Sequence, residues 1–102
     1  MSDPQPLFAA LADPTRRRVF ERLSARGPAS ASKLAAELPI TRQAIAKHLA
    51  LLDEAGLVER VRHGREVQYR VRPEALEDVT SWVARVGARW EERLEKLKRS
   101  FE

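Results

Sequence analysis

Apolar residues return every three or four positions through most of this chain, and in one stretch only they alternate with polar ones. PLFAALA, residues 6–12, sets Leu7, Phe8 and Leu11 on one side of a short helix. Asp13-Pro14 then supplies a cap and a proline at the first helical position, and Val19, Phe20 and Leu23 form the stripe of a second helix, closed by Gly27 before Pro28. Ser32 is expected to cap a third helix, KLAAEL, with Leu34 and Leu38 turned inward. Pro39 stops it there, because the residue before a proline avoids helical geometry. Thr41 caps a fourth helix over 42–55, in which Ile45, Leu49 and Leu52 fall together and Gly56 ends the run. Residues 33–55 are thus two short helices joined by about three residues, the spacing of a helix-turn-helix.

The period changes at LVERVRHGREVQYRV, where Val67, Tyr69 and Val71 alternate with Glu66, Gln68 and Arg70. His63-Gly64 is expected to supply the turn, since glycine accepts a positive backbone angle and histidine tolerates one better than most side chains. Residues 57–72 therefore read as a two-stranded wing. From residue 73 to 101 one long helix carries Leu76, Val79, Val83, Val86, Trp90, Leu94, Leu97 and Phe101 as its stripe, with Gly87 the one weak point. Fully formed it spans about 43 Å, more than a small domain can cover, so part of the stripe requires a partner. The expected fold is mainly α with a small β-hairpin. It is a winged helix-turn-helix of about five helices and a two-stranded wing, in a single domain over residues 1–102, without internal repeat or linker.

A hydrophobic fraction of 43% over 102 residues suffices for one core. The absence of cysteine excludes disulfides, thiolate metal sites and a cysteine nucleophile, and agrees with a reducing compartment. MSDPQPLFAALADP shows no basic leader before an apolar run, and nowhere do 18 apolar residues occur together, so the expectation is a cytoplasmic protein with no membrane partner. Neither GxSxG, HExxH nor a phosphate-cradling glycine loop is present, and four glycines leave little active-site loop. No enzyme activity, catalytic residue, metal or cofactor is expected.

The net charge of +4 is concentrated: residues 41–72 hold seven Lys/Arg against four Asp/Glu, whereas residues 73–102 hold six against seven. Within the fourth helix the order of charge opposes the helix dipole, with Arg42 and Lys47 early and Asp53 and Glu54 late. On a helical wheel the outward side carries Gln43, Ala46, Lys47, Ala50 and Glu54, with Arg42 at its edge, so its leading turns hold donors, small alanines and no acid. A bound polyanion removes the conflict, because phosphate favours a helix amino end and pairs with Arg and Lys. In a DNA major groove Arg42 and Gln43 suit the edges of guanine and adenine, while Lys47 suits phosphate. Taken singly these residues are ordinary solvated side chains, at a dipole cost of only roughly a few tenths of a kcal/mol. Their succession with a tight turn and a cationic hairpin is what points to double-stranded DNA.

ADPTRRRVFERL, SASKLAAEL with TRQAIAKHLALLDEAGLV, and RHGREVQYRV resemble, from about Leu7 to Val71, the ArsR family of bacterial winged-helix repressors. That resemblance implies a homodimer on an inverted-repeat operator, with residues 42–55 as recognition helix. It places Thr41, Arg42, Gln43, Lys47 and His48 at the groove and His63, Gly64 and Arg65 at the wing tip. Where many relatives carry serine two residues before the KHL histidine, this chain has Ala46. The family's metal sensors carry cysteines near the preceding helix or His/Asp/Glu sets on the last one. SASKLAAEL has no Cys and the last helix no His, so the metal-sensing role does not carry over.

Read on its own, His48 lies on the flank of the buried face, where a packed histidine is about twice as common as a phosphate contact. Arg65 at the hairpin tip suits insertion beside a phosphate or in a narrow minor groove. Arg60, Arg62, Arg70 and Arg72 are expected to pair with Glu59 and Glu66 across the ribbon. Trp90 on the stripe and Trp82 at its edge read as core or subunit contact rather than a ligand pocket. The expected dimer interface is Leu76, Val79, Val83, Val86 and Trp90, aided by Leu7, Phe8 and Leu11. The leading expectation is a sequence-specific regulator, a repressor or autorepressor. The alternative is a winged-helix module that binds protein, or nucleic acid without sequence preference, through the same basic face. No residue pattern points to an effector.

Overall fold

The structure, a computed structural model, describes residues 3–101. Its elements run α1 (Gln5–Leu11), α2 (Pro14–Arg26), α3 (Ala31–Glu37), α4 (Arg42–Glu54), β1 (Val58–His63), β2 (Glu66–Val71) and α5 (Pro73–Ser100). This is the expected winged helix-turn-helix, mainly helical with one antiparallel hairpin.

Local chemistry sets most boundaries. The Asp13 carboxylate accepts the backbone N–H of Arg16 at 2.8 Å and starts α2, with Pro14 in the first turn. Gly27, at φ +94°, closes it. The cap of α3 is Ser30, not Ser32: its hydroxyl accepts the N–H of Lys33 at 3.1 Å. The reason is a long-range contact, since Ala29 exchanges both backbone hydrogen bonds with Tyr69 of β2, at 2.8 and 3.1 Å. That bridge holds Ala29 extended, leaving Ser30 as the residue where the helix begins. Leu38, extended before Pro39, ends α3 as expected.

The hairpin register pairs Val58 with Val71, Arg60 with Tyr69 and His63 with Glu66. The turn is therefore Gly64-Arg65, one residue later than His63-Gly64, and His63 closes β1 as a paired strand residue. Gly64 has φ +68° and, among the described residues, no non-glycine residue has positive φ, the combination of a type II′ turn. A His63-Gly64 turn would have set Arg62 opposite Arg65, whereas the observed register sets Glu59 opposite Arg70, where the two form an ion pair.

The core joins α1, α2, α3, α4 and the base of the wing through Val19, Leu23, Leu34, Ile45, Leu49, Leu52, Leu57 and Val58, all essentially without solvent contact. Burying a side chain of this kind is worth roughly 1.5–3 kcal/mol, so α4 alone contributes three such anchors. Leu7, expected at a subunit contact, is taken up by this same core. From α5 only Ala75 is buried, with Val79 half-buried against the core. The rest of the helix extends beyond the core and stretches the molecule to 65 × 28 × 20 Å. Leu76, Trp82 and Val83 are exposed, Val86 is half-buried, and Trp90, Leu94 and Leu97 keep more than half their surface open. Trp82 stands edge-on to Phe8 of α1, ring centroids 5.0 Å apart, and links the two helices that carry the exposed apolar surface.

Candidate nucleic-acid interface

The amino end of α4 is fixed by Thr41, whose hydroxyl accepts the N–H of Ala44 at 3.1 Å. Ile45, Leu49 and Leu52 lock one side into the core, and Ala44, His48, Leu51 and Ala55 lie half-buried along the flanks. Arg42, Gln43, Ala46, Lys47, Ala50 and Glu54 are exposed, as the wheel requires. The helix has no acid in its first turn and no base in its last. By contrast α5 follows the dipole, with Glu74 in its first turn and Lys98 and Arg99 in its last. The charge order of α4 is thus the reverse of that in α5, and α4 presents an acid-free amino-terminal face.

The wing stands beside that face, held at its base by the Ala29 bridge and by Arg72 N–H to Leu57 O at 2.9 Å. Its arginines divide between two surfaces. Glu59 takes Arg70 and also Arg72, the latter at 3.5 Å. Arg60 and Arg62 have no carboxylate partner among the described residues, and neither has Glu66, so only half of the expected cross-ribbon pairing forms. Arg60 and Arg62 share the ribbon face of Val58, Tyr69 and Val67. Together Arg60 and Arg65 line an open groove of about 560 Å³ between the wing and α4, whose other wall includes Arg42 and Ala46.

The structure separates two residues that the sequence grouped. Gln43 and Lys47 stand on the open outward side of α4, while Arg42 faces the groove shared with the wing. His63 lies in the last strand pair, with Gly64 and Arg65 at the exposed tip beyond it. Arg60, expected to pair across the ribbon, instead borders the groove, and the signal for that is an arginine in phase with Val58 on an alternating strand. His48 is half-buried, with Nδ1 enclosed and unpaired. Nearby, Asp13 is held below the usual carboxylate range, first by the Arg16 backbone N–H and then by the charges of Arg16 and His48, which outweigh its partial desolvation. Among the described residues no three His, Asp or Glu side chains gather as metal ligands, and no helix is long and apolar enough to cross a membrane.

Residues 11–61 match the family model of a helix-turn-helix domain. The HTH-type transcriptional regulator YuzN of Bacillus subtilis is 45% identical over 71 residues, 64% of this chain and 74% of that protein. The transcriptional repressor SdpR of the same organism is 30% identical over 76% of this chain and 84% of its own length. An ArsR-like transcriptional regulator from Rhodococcus superposes with a TM-score of 0.83 at 45% identity, covering 94% of this chain and 90% of that one. The chain belongs to the ArsR family. It is a DNA-binding transcriptional regulator, and the helix-turn-helix of that assignment is α3 and α4. Helix-turn-helix regulators of the ArsR family bind double-stranded DNA.

Proposed function

We propose that this ArsR-family chain is a homodimeric cytoplasmic repressor that reads an inverted-repeat operator, acting by binding rather than catalysis. The observation that carries the reading is the acid-free amino-terminal face of α4, with Gln43 and Lys47 exposed on it and the cationic wing beside it. Gln43 presents the paired donor and acceptor that match an adenine edge, Lys47 holds a phosphate, and Thr41 and Arg42 frame the approach. His48 sets the flank of the helix, and His63, Gly64 and Arg65 carry the wing to the neighbouring backbone.

The second subunit supplies cover for the exposed stripe of α5. Val83, Val86 and Trp90, with Leu76, Trp82 and the half-buried Phe8 and Leu11 of α1, supply apolar side chains of the kind that an obligate contact buries. A twofold axis through it sets two recognition helices about one DNA turn apart, roughly 34 Å. Selection of bound duplexes from a random DNA pool tests the proposal. A winning site with twofold symmetry is expected; winners without symmetry, or no enrichment over the starting pool, overturn it.

A further inference from the structure

The groove between α4 and the wing has a composition that a recognition helix alone does not require. Three guanidinium groups, those of Arg42, Arg60 and Arg65, line it against one carboxylate, Glu66. The hydroxyl-bearing residues Ser32 and Tyr69 lie on the same walls. Arg60 stands on the same ribbon face as Val58 and Tyr69 and has no carboxylate partner among the described residues. Arg70 and Arg72, on the same ribbon, are both neutralised by Glu59. Glu59 thus sits on the opposite ribbon face from Arg60, and among the described residues it leaves Arg60 and Arg65, which border the groove, without a carboxylate partner.

We propose that this groove holds the sugar-phosphate backbone of one DNA strand, with Arg60 a phosphate-binding residue on the wing wall and Arg42 its counterpart on α4. The proposal rests on the DNA-binding reading above and deepens it. The backbone strand that divides a major groove from the next minor groove has to pass between a helix in the first and a wing at the second. An open groove can admit a segment of a polymer, and guanidinium forks suit phosphate oxygens. Arg42 accordingly holds register, and base reading falls to the outward side of α4 around Gln43.

The test is a salt titration with the full chain on a labelled random-sequence duplex, followed by fluorescence anisotropy. Each phosphate contact contributes about 0.9 to the slope of log affinity against log salt. Arg60→Gln and Arg42→Gln should each reduce that slope by about 0.9 per chain bound, or roughly 3.5-fold less affinity lost between 50 and 200 mM salt. Arg60→Lys should restore most of it, and Arg70→Gln, paired with Glu59 off the groove, should leave the slope unchanged. If Lys47→Ala lowers the slope while Arg60→Gln and Arg42→Gln do not, the groove proposal falls and the DNA-binding reading of α4 stands. If the wild-type chain shows no salt-dependent duplex binding, the broader reading falls with it. Arg60 is exposed, and a circular-dichroism melt matching wild type shows that a changed slope is not a folding defect.

Discussion

Thr41 joins two demands that one substitution can separate. Its hydroxyl accepts the Ala44 N–H at 3.1 Å, satisfying one of the four amides that begin α4 without a helical partner, and its side chain is exposed at the proposed DNA face. Thr41→Ala removes the acceptor and should cost about 1 kcal/mol, which in a domain of this size lowers Tm by roughly 4–8 °C. Thr41→Asp keeps an acceptor and adds a carboxylate at the favourable end of the helix dipole, so its Tm should stay within about 2 °C of wild type. Its effect on DNA has the opposite sign. A carboxylate about 5 Å from a phosphate costs between roughly 0.8 kcal/mol in water and 3.3 kcal/mol at a protein surface, so affinity should fall roughly four- to 270-fold. Melting at fixed protein concentration, which holds any subunit linkage constant, gives the first quantity, and anisotropy with a labelled duplex gives the second. An Asp variant that melts as low as Ala refutes the cap. One that binds DNA as tightly as wild type refutes the approach of phosphate to the amino end of α4.

On a selected operator, Gln43→Ala should lose about 1–3 kcal/mol of discrimination against random duplex, while Lys47→Ala weakens both equally; equal losses from the two variants contradict the division of roles. Trp90→Ala, which truncates the centre of the exposed stripe of α5, should shift sedimentation toward monomer, and an unchanged dimer removes this helix from the interface. Asp13 and Glu37 both titrate below their usual range in the folded chain. For Glu37, partial desolvation works upward and is outweighed by the hydrogen bond from Arg22 and the charges of Arg26 and Arg22. A depressed folded pKa gives stability that is present above the ordinary carboxylate value and lost as pH falls through the folded value. Asp13→Asn keeps a capping acceptor, so its Tm should decline less than wild type below about pH 4; parallel declines contradict the linkage.

Much of the fold was legible because local and global signals agree. The inward and outward sides of α4 follow from the 3.6-residue period alone, and the wheel assigns its residues as the structure does. Two boundaries were hidden, and each has a distant cause. Ser30 and Ser32 are both competent caps, and only the Ala29–Tyr69 bridge, 40 residues away in sequence, decides between them. The hairpin turn shifted because cross-strand charge and valine pairing set the register, which no dipeptide signal around Gly64 encodes. Leu7 reads as amphipathic surface within its seven-residue helix and becomes core because α2 packs on it. At the candidate site, the exposure of Arg42, Gln43 and Lys47 on α4 follows from the helical period. The place of Arg60 on the groove wall does not, since the register decides which arginines Glu59 neutralises.

The central claim is that the amino-terminal side of α4 and the adjacent wing form one continuous contact with duplex DNA. Amide chemical-shift mapping of the labelled protein with a selected duplex tests it most directly. The account predicts that the largest changes fall on Thr41, Arg42, Gln43, Lys47 and on Arg60 to Arg65, with the distal half of α5 undisturbed. Changes centred on α5 or on Arg17 and Arg18, exposed on α2, with the amino end of α4 silent, would contradict it.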